Sequence, residues 1–387
     1  MVDVSSDKTA TALALEVDKI AASFGLNADK FAAQSYDGCP TMSGDKHGVQ
    51  RLVKEKFPKA GFIHCRAHVL NLVLLHSCTN NRKTARFFNT ISSLASFFSQ
   101  SPKRNSKLKE FMESKLPSVC KTKWSYNSRM VKIIDLNYEA ICACLMDFYM
   151  EENDFDADSC TTARGLHAFL LEFNTIFLLK TFAKMFAHTD VLYQVLQAVE
   201  LDIVECVRNI ETCKTSILNL SEGDHFNIVL NESTGRGGGE TVDIASYRSL
   251  YDAVIHRVHD EMSKRFADLK DYEYIGLLNQ QKFQTFNTVF PTKLVKSLIK
   301  WHIFNESKLC NELSVVYSLE QFRGKTVHQI VRIIIDNDMI EAFSETLKLA
   351  KLTLAISCTT ASVERSFSVL RRVKKYLRSK KDCSILC

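Results

Sequence analysis

At 387 residues, 46% hydrophobic and with a formal charge of only +6, the chain can bury a large core and exceeds the usual size of one compact domain. It is too mildly basic for its total charge to point to nucleic acid. No run of about eighteen uninterrupted apolar residues occurs, which excludes a simple membrane span. Thirteen irregularly spaced cysteines and no secretory signal read as free thiols in a reducing, intracellular compartment, and many phenylalanines with few glycines and prolines favour long helices.

Met1–Val4 reads as the end of a strand, followed by cap candidates Ser5 and Ser6 and a helix from Thr9 to Phe24 closed by Gly25. Leu13, Val17, Ile20 and Phe24 share one face of that helix. Phe31–Tyr36 is short and apolar and reads as a buried strand ending at Asp37-Gly38. Gly44–Phe57 is a basic amphipathic helix broken by Pro58, and Gly61–Cys65 is the next strand. Strand and helix in alternation predict a parallel α/β sheet. Ligands of such sheets gather at the strands' carboxyl ends, so Asp37 stands where chemistry would be.

Helices are predicted over Val69–Cys78 and Thr84–Gln100, the second burying Phe87, Ile91, Leu94 and Phe97 or Phe98. Lys103–Lys109 reads as a basic linker. Cys65 and His68, three apart at a helix start, could supply half of a zinc site, but no second pair stands at comparable spacing, and His64 and His68 also fit core-edge histidines. Lys123-Trp124 stands at another helix start, where a tryptophan is more often core than a stacking platform. Asn127–Leu220 is almost continuous amphipathic helix with an acidic break at Asp154–Asp158, and the stripe Leu166, Leu170, Phe173, Phe177 reads as core. Glu232–Gly239 lacks the Gly-Lys-Ser or Gly-Lys-Thr ending of a phosphate loop and reads as a flexible linker. Helix resumes over Ala245–Leu269, shorter pieces surround Pro291, and two or three more helices follow Thr326.

The stretch Thr359–Arg378 carries the densest pattern. Thr359 and Thr360 precede Val363, Phe367, Leu370, Val373 and Leu377 at helical spacing, predicting one buried stripe with Glu364 beside it in the first turn. Arg371, Arg372, Lys374 and Lys375 make the far end basic, an arrangement suited to holding a metal ion near a phosphate backbone and equally to a capped surface helix with solvated charges.

The run Ser357-Cys358-Thr359-Thr360-Ala361-Ser362-Val363-Glu364-Arg365-Ser366-Phe367-Ser368, after Leu349–Leu352, resembles the C-terminal block of the hAT superfamily of DNA transposases. Gln34–Gly44 with Gly48, then His64-Cys65-Arg66-Ala67-His68-Val69-Leu70-Asn71-Leu72, resembles in order and spacing the hAT-derived proteins related to zinc-finger MYM-type protein 1.

That resemblance implies an α/β plus all-α architecture: an incomplete RNase H-like domain interrupted by a large helical insertion, with residues 1–78 and 326–387 forming the domain and 79–325 the insertion. It implies a triad of two Asp and one Glu that holds two Mg or Mn ions, of which Asp37 matches the second Asp and Glu364 the Glu. The first Asp is expected on an opening strand upstream of Met1, so the chain is expected to be a remnant without catalysis and without a cofactor unless activity remains. Cys65 and His68 match a C-x-x-H motif that shapes the site. Trp124 matches a tryptophan implicated in stacking on a displaced base, with Lys123 where the family has arginine.

The implied partners are a second copy or a related hAT-like chain through the C-terminal block and DNA through Lys123, Trp124, Arg371, Arg372, Lys374 and Lys375, with no membrane, in the nucleus. The alternatives are an active metal-dependent transposase subunit completed by a longer isoform or another chain, and a helical scaffold without a nucleic-acid role.

Overall fold

The computed structural model describes residues 6–26, 31–79, 81–117, 125–150, 155–198, 201–235, 243–267, 270–360, 363, 365–367, 369–370 and 372–373. They are mostly helical, with one parallel sheet of two strands. The chain divides into two compact units, one of Met1–Val69, Gln194–Ile210 and Phe266–Cys387, the other of Leu70–Tyr193 and Glu211–Arg265. The first unit thus takes in 194–210 and 266–325 together with both ends of the chain. Sequence order marks where helices lie but not which core each one joins.

The first unit opens with α1 (Ala10–Ser23), whose N-cap Thr9 accepts a hydrogen bond from the Ala12 amide at 3.3 Å. It packs on α3 (Val49–Lys56) through Leu13, Ala14, Val17 and Ala21 against Val49 and Val53, and Lys56 pairs with Asp18 at 2.7 Å. Ile20 and Phe24, expected on the buried face, are exposed, since the contact runs along the Val17–Ala21 row instead. Between these helices come β1 (Ala33–Tyr36) and the single turn α2 (Pro40–Ser43); β2 (Gly61–His64) and α4 (Arg66–Thr79) follow. Buried Gln34 fixes β1 by donating to the Gln50 and Ala60 carbonyls at 2.9 and 3.0 Å. The strand expected over Met1–Val4 lies outside the described residues.

The second unit is all helix. In α5 (Arg82–Ser99), capped by Asn81, the predicted residues Phe87, Ile91, Leu94, Phe97 and Phe98 are all buried. Lys103–Lys109 is not a linker but most of α6 (Pro102–Phe111), started by the Ser101 cap and Pro102. Its basic residues are held by specific partners. Arg104 lies 4.5 Å from the Phe97 ring centroid, and Lys107 pairs with Asp147 at 2.7 Å. Then come α7 (Ser125–Leu136), α8 (Tyr138–Met150), α9 (Ala157–Leu171), α10 (Phe173–Leu196), whose last residues belong to the first unit, α11 (Ile203–Asn219), whose first half does so too, α12 (His225–Thr234) and α13 (Ile244–Arg265). Asp156 caps α9 and Asp158 lies in its first turn, so the acidic break ends as a helix start. Leu166, Leu170, Phe173 and Phe177 are buried as core. Glu232–Thr234 of the expected linker finish α12, while 236–242 lie outside the described residues. No single described helix is long and apolar enough to cross a membrane. The bent pair α9–α10 reaches that composition only jointly, across a 68° break.

The first unit resumes with a 3-10 stretch Lys270–Leu278, α14 (Phe283–Thr288), α15 (Thr292–Trp301), α16 (Glu306–Ser318), α17 (Val327–Asp336) and α18 (Ser344–Ala355). Tyr317 of α16 is buried and donates to the Leu277 carbonyl at 2.9 Å. Thr326 and Gln329 form a reciprocal capping box at the start of α17, which buries Val327, Ile330 and Ile334. Phe343 and Leu347 are buried, whereas Ile340 is exposed in the turn between α17 and α18.

Candidate functional site

The two strands pair in parallel, Ala33 with Gly61 through Tyr36 with His64, so both deliver their carboxyl ends to one edge. Cys65 extends the ladder by donating its amide to the Tyr36 carbonyl at 2.8 Å. Asp37 follows β1 there, exposed, its Oδ1 accepting the Cys39 amide at 3.1 Å in a turn that starts α2. His68, in the first turn of α4, lies against Gly38: a Cβ on Gly38 would stand 2.6 Å from the imidazole Nε2. Gly48 is equally constrained, because a Cβ there would run into the backbone of Gly44. These contacts give a packing reason for Gly38 and Gly48 of the N-terminal motif.

The C-terminal block returns to the same edge. Arg66 donates its amide to the Cys358 carbonyl at 3.0 Å. Thr360, 295 positions beyond Cys65, donates both its amide and its hydroxyl to the Cys65 sulfur at 3.3 and 3.2 Å. Cys65 is fully buried, and its sulfur is engaged by Thr360 while the His68 ring lies over Gly38. Further along, Arg365 donates to the Gln197 carbonyl at 2.6 Å. The segment Ile356–Thr360 is therefore held against the β2–α4 junction by backbone and thiol contacts together.

Several residues that matter here escaped the sequence reading. Arg66 is a fully buried side chain, its guanidinium carbon 6.0 Å from the Phe266 ring centroid. Asp202, also buried, caps α11 through the Glu205 amide at 2.9 Å, and its second oxygen lies 4.0 Å from His328 Nδ1. Buried Cys206 lies in the first turn of α11, and the thiol of buried Cys358 donates to the Leu201 carbonyl at 3.8 Å. An aspartate immediately before an apolar helical run is a readable N-cap signal; nothing local marks Arg66 or Cys206. Beside this group lies a cleft of about 610 Å³ lined by residues such as Leu201, Glu205, Arg208, His328 and Arg332.

Of the expected site residues, the structure describes Asp37, Cys65 and His68 at the sheet edge and Arg372 as an exposed helical residue. Glu364, Lys123, Trp124, Arg371, Lys374 and Lys375 lie outside the described residues. Among the described residues no three His, Cys, Asp or Glu side chains could hold a metal ion together, so the described side chains alone do not make a two-ion site or a zinc site. The buried stripe expected on the last helix is corrected: Val363, Phe367 and Val373 are 54%, 57% and 48% exposed. Helical spacing aligns apolar residues, but burial needs a facing surface, and these three do not meet one. No family model matches the chain, and no solved structure matches it.

Replacing Gly38 with alanine is expected to displace the His68 ring and lower stability by about 1–3 kcal/mol, as insertions into packed sites do. The His68 imidazole proton shifts in the NMR spectrum, with a urea midpoint, check this. Unchanged His68 resonances in the alanine variant would remove the contact.

Proposed function

We propose that the chain descends from an hAT transposase, keeps a remnant of an RNase H-like core, does not cleave DNA, and acts in the nucleus by self-association and DNA contact. The observation supporting this most is the return of Thr360 to Cys65 at the carboxyl edge of the sheet, beside Asp37. It brings together the two sequence blocks that carry the resemblance, at the edge where α/β sheets bind their ligands. The sequence supplies Asp37 and Glu364, which match two of the three carboxylates that the family uses to hold divalent ions. The exposed Val363, Phe367 and Val373 favour self-association, and the basic Arg371–Lys375 end of the same stretch favours phosphate contact.

The test uses the full chain with duplex DNA and Mg or Mn. Binding by fluorescence anisotropy that weakens steeply with salt, no strand cleavage on a denaturing gel, and a dimer by light scattering are expected. Phe367→Asp is expected to weaken the dimer about tenfold or more, the equivalent of about 1.4 kcal/mol. Metal-dependent cleavage would establish the active-subunit alternative instead, and a monomer without DNA affinity would leave the helical-scaffold reading.

A further inference from the structure

A basic, aromatic surface outside the contacts proposed above surrounds α15. From Tyr274 to Asn305 the chain has no Asp or Glu, while Lys282, Lys293, Lys296 and Lys300 all fall within it; carboxylates resume only at Glu273 and Glu306 on either side. Lys293, Lys296 and Lys300 recur at i, i+3 and i+7 on the exposed face of α15, opposite buried Val295 and Leu298. Neither these three nor exposed Lys54 of α3 pairs with a carboxylate among the described residues. Glu55, next to Lys54, is taken up by Arg51 at 3.0 Å.

The charge surrounds aromatic rings. A pocket of about 90 Å³ is lined by Lys54, Lys59, Tyr272, Tyr274, Trp301 and His302, all in the first unit. A Cβ on Gly61 would run into the Tyr272 hydroxyl, so the glycine that opens β2 makes room for that ring. The Tyr274 hydroxyl lies 3.3 Å from His302 Nε2, which fixes a second ring in the wall. Trp301, in the last turn of α15, is 44% exposed, with the Lys300 ammonium 5.2 Å from its ring centroid. Burial, then Lys59 and Lys348, hold the His302 imidazole below its ordinary value, a further sign that positive charge converges here. Aromatic walls alone also suit a cationic guest, but the ammonium groups of Lys54 and Lys59 on the same pocket repel one. The chemistry selects a guest that is flat, aromatic and anionic.

We propose that this surface binds single-stranded nucleic acid, one base stacking on Trp301 at the mouth of the pocket and the flanking phosphates lying along Lys54, Lys296 and Lys300. A duplex keeps its base faces stacked inside and offers none to Trp301. A lipid surface is the poorer match, because α15 buries its apolar face on the protein and leaves only Trp301 and Ile303 exposed at its end. The surface shares no residue with the Arg371–Lys375 end and stands or falls apart from the DNA contact proposed there.

The test titrates the full chain, in a Trp124→Phe background, with oligothymidylate of about 12 nucleotides. Saturable quenching of Trp301 fluorescence that salt reverses is expected. Trp301→Ala in the otherwise native chain is expected to weaken binding by fluorescence anisotropy about tenfold, and Trp301→Phe, which keeps a ring, to restore most of it. Lys54→Ala and Lys296→Ala are each expected to flatten the log–log salt slope by about 0.7. Duplex DNA is expected to bind Trp301→Ala as it binds wild type, which keeps the result separate from contact through Arg371–Lys375. Absence of quenching, or unchanged oligothymidylate affinity in Trp301→Ala, overturns the proposal. A Trp301 blue shift on phosphatidylserine vesicles with no response to the oligonucleotide overturns it too and assigns the surface to a membrane. The quenching decides even if the alanine variant fails to fold.

Discussion

Arg66→Ala is expected to remove about 3–5 kcal/mol from the stability of the first unit, the range seen when a large buried side chain is truncated. Arg66 is fully buried and packs against Phe266, and its charge acts on the same buried thiols as the opposite charge of Asp202. Truncation leaves a void beside Phe266. Arg66→Met fills most of the volume and is expected to recover most of the loss. Urea unfolding read from Trp301 in α15, in a Trp124→Phe background, reports on the first unit specifically. A loss under about 1 kcal/mol for Arg66→Ala would show that the buried cation is dispensable.

Glu312→Ala in α16 is the second large effect, expected at about 2–4 kcal/mol. The Glu312 side chain is 5% exposed, and its carboxylate accepts the Thr346 amide at 2.7 Å and the Glu345 amide at 3.3 Å. It thus caps the start of α18 from a neighbouring helix, where a negative charge meets the positive end of the helix dipole. Phe343, at the cap position, has no side-chain acceptor to offer, so α18 depends on this foreign carboxylate. Alanine leaves the buried Thr346 amide unpaired; glutamine keeps an acceptor and is expected to lose only about 1 kcal/mol. The same tryptophan readout checks both, and equal stability of Glu312→Ala and wild type would refute the cross-helix cap. Because α18 leads directly into Ile356–Thr360, its fraying is also expected to raise hydrogen exchange at the sheet edge.

The two structural effects converge on one reason for the site's geometry. Asp37 and His68 are placed by short local rules, a strand end and a helix start next to a glycine. Thr360 is placed by long-range ones, the cap on α18 and the contacts of Cys358 and Cys65. A site assembled from such distant parts is sensitive to residues that never touch a ligand.

What was legible beforehand follows the reach of each signal. The start of α1 near Thr9, the strands before Asp37 and Cys65 and the phenylalanine stripe of α5 were readable because periodicity acts within a few residues, whereas the cap expected at Ser5 or Ser6 is Thr9 instead. Lys103–Lys109 was misread as linker because a basic run hides the helical start that Ser101 and Pro102 give, and because the rings and carboxylates that receive its charges come from other helices.

The sequence by itself determined most of the helices, the two short strands and the position of Asp37 at a strand's end, all matters of local dihedral preference and apolar spacing. Tertiary structure alone decided that Thr360 meets Cys65, that Cys358 meets Arg66 through its carbonyl, that Arg66 is buried, and that Val363, Phe367 and Val373 are not. Burial and long-range contact depend on which surfaces find each other when the chain collapses, and no spacing within one helix encodes its partner.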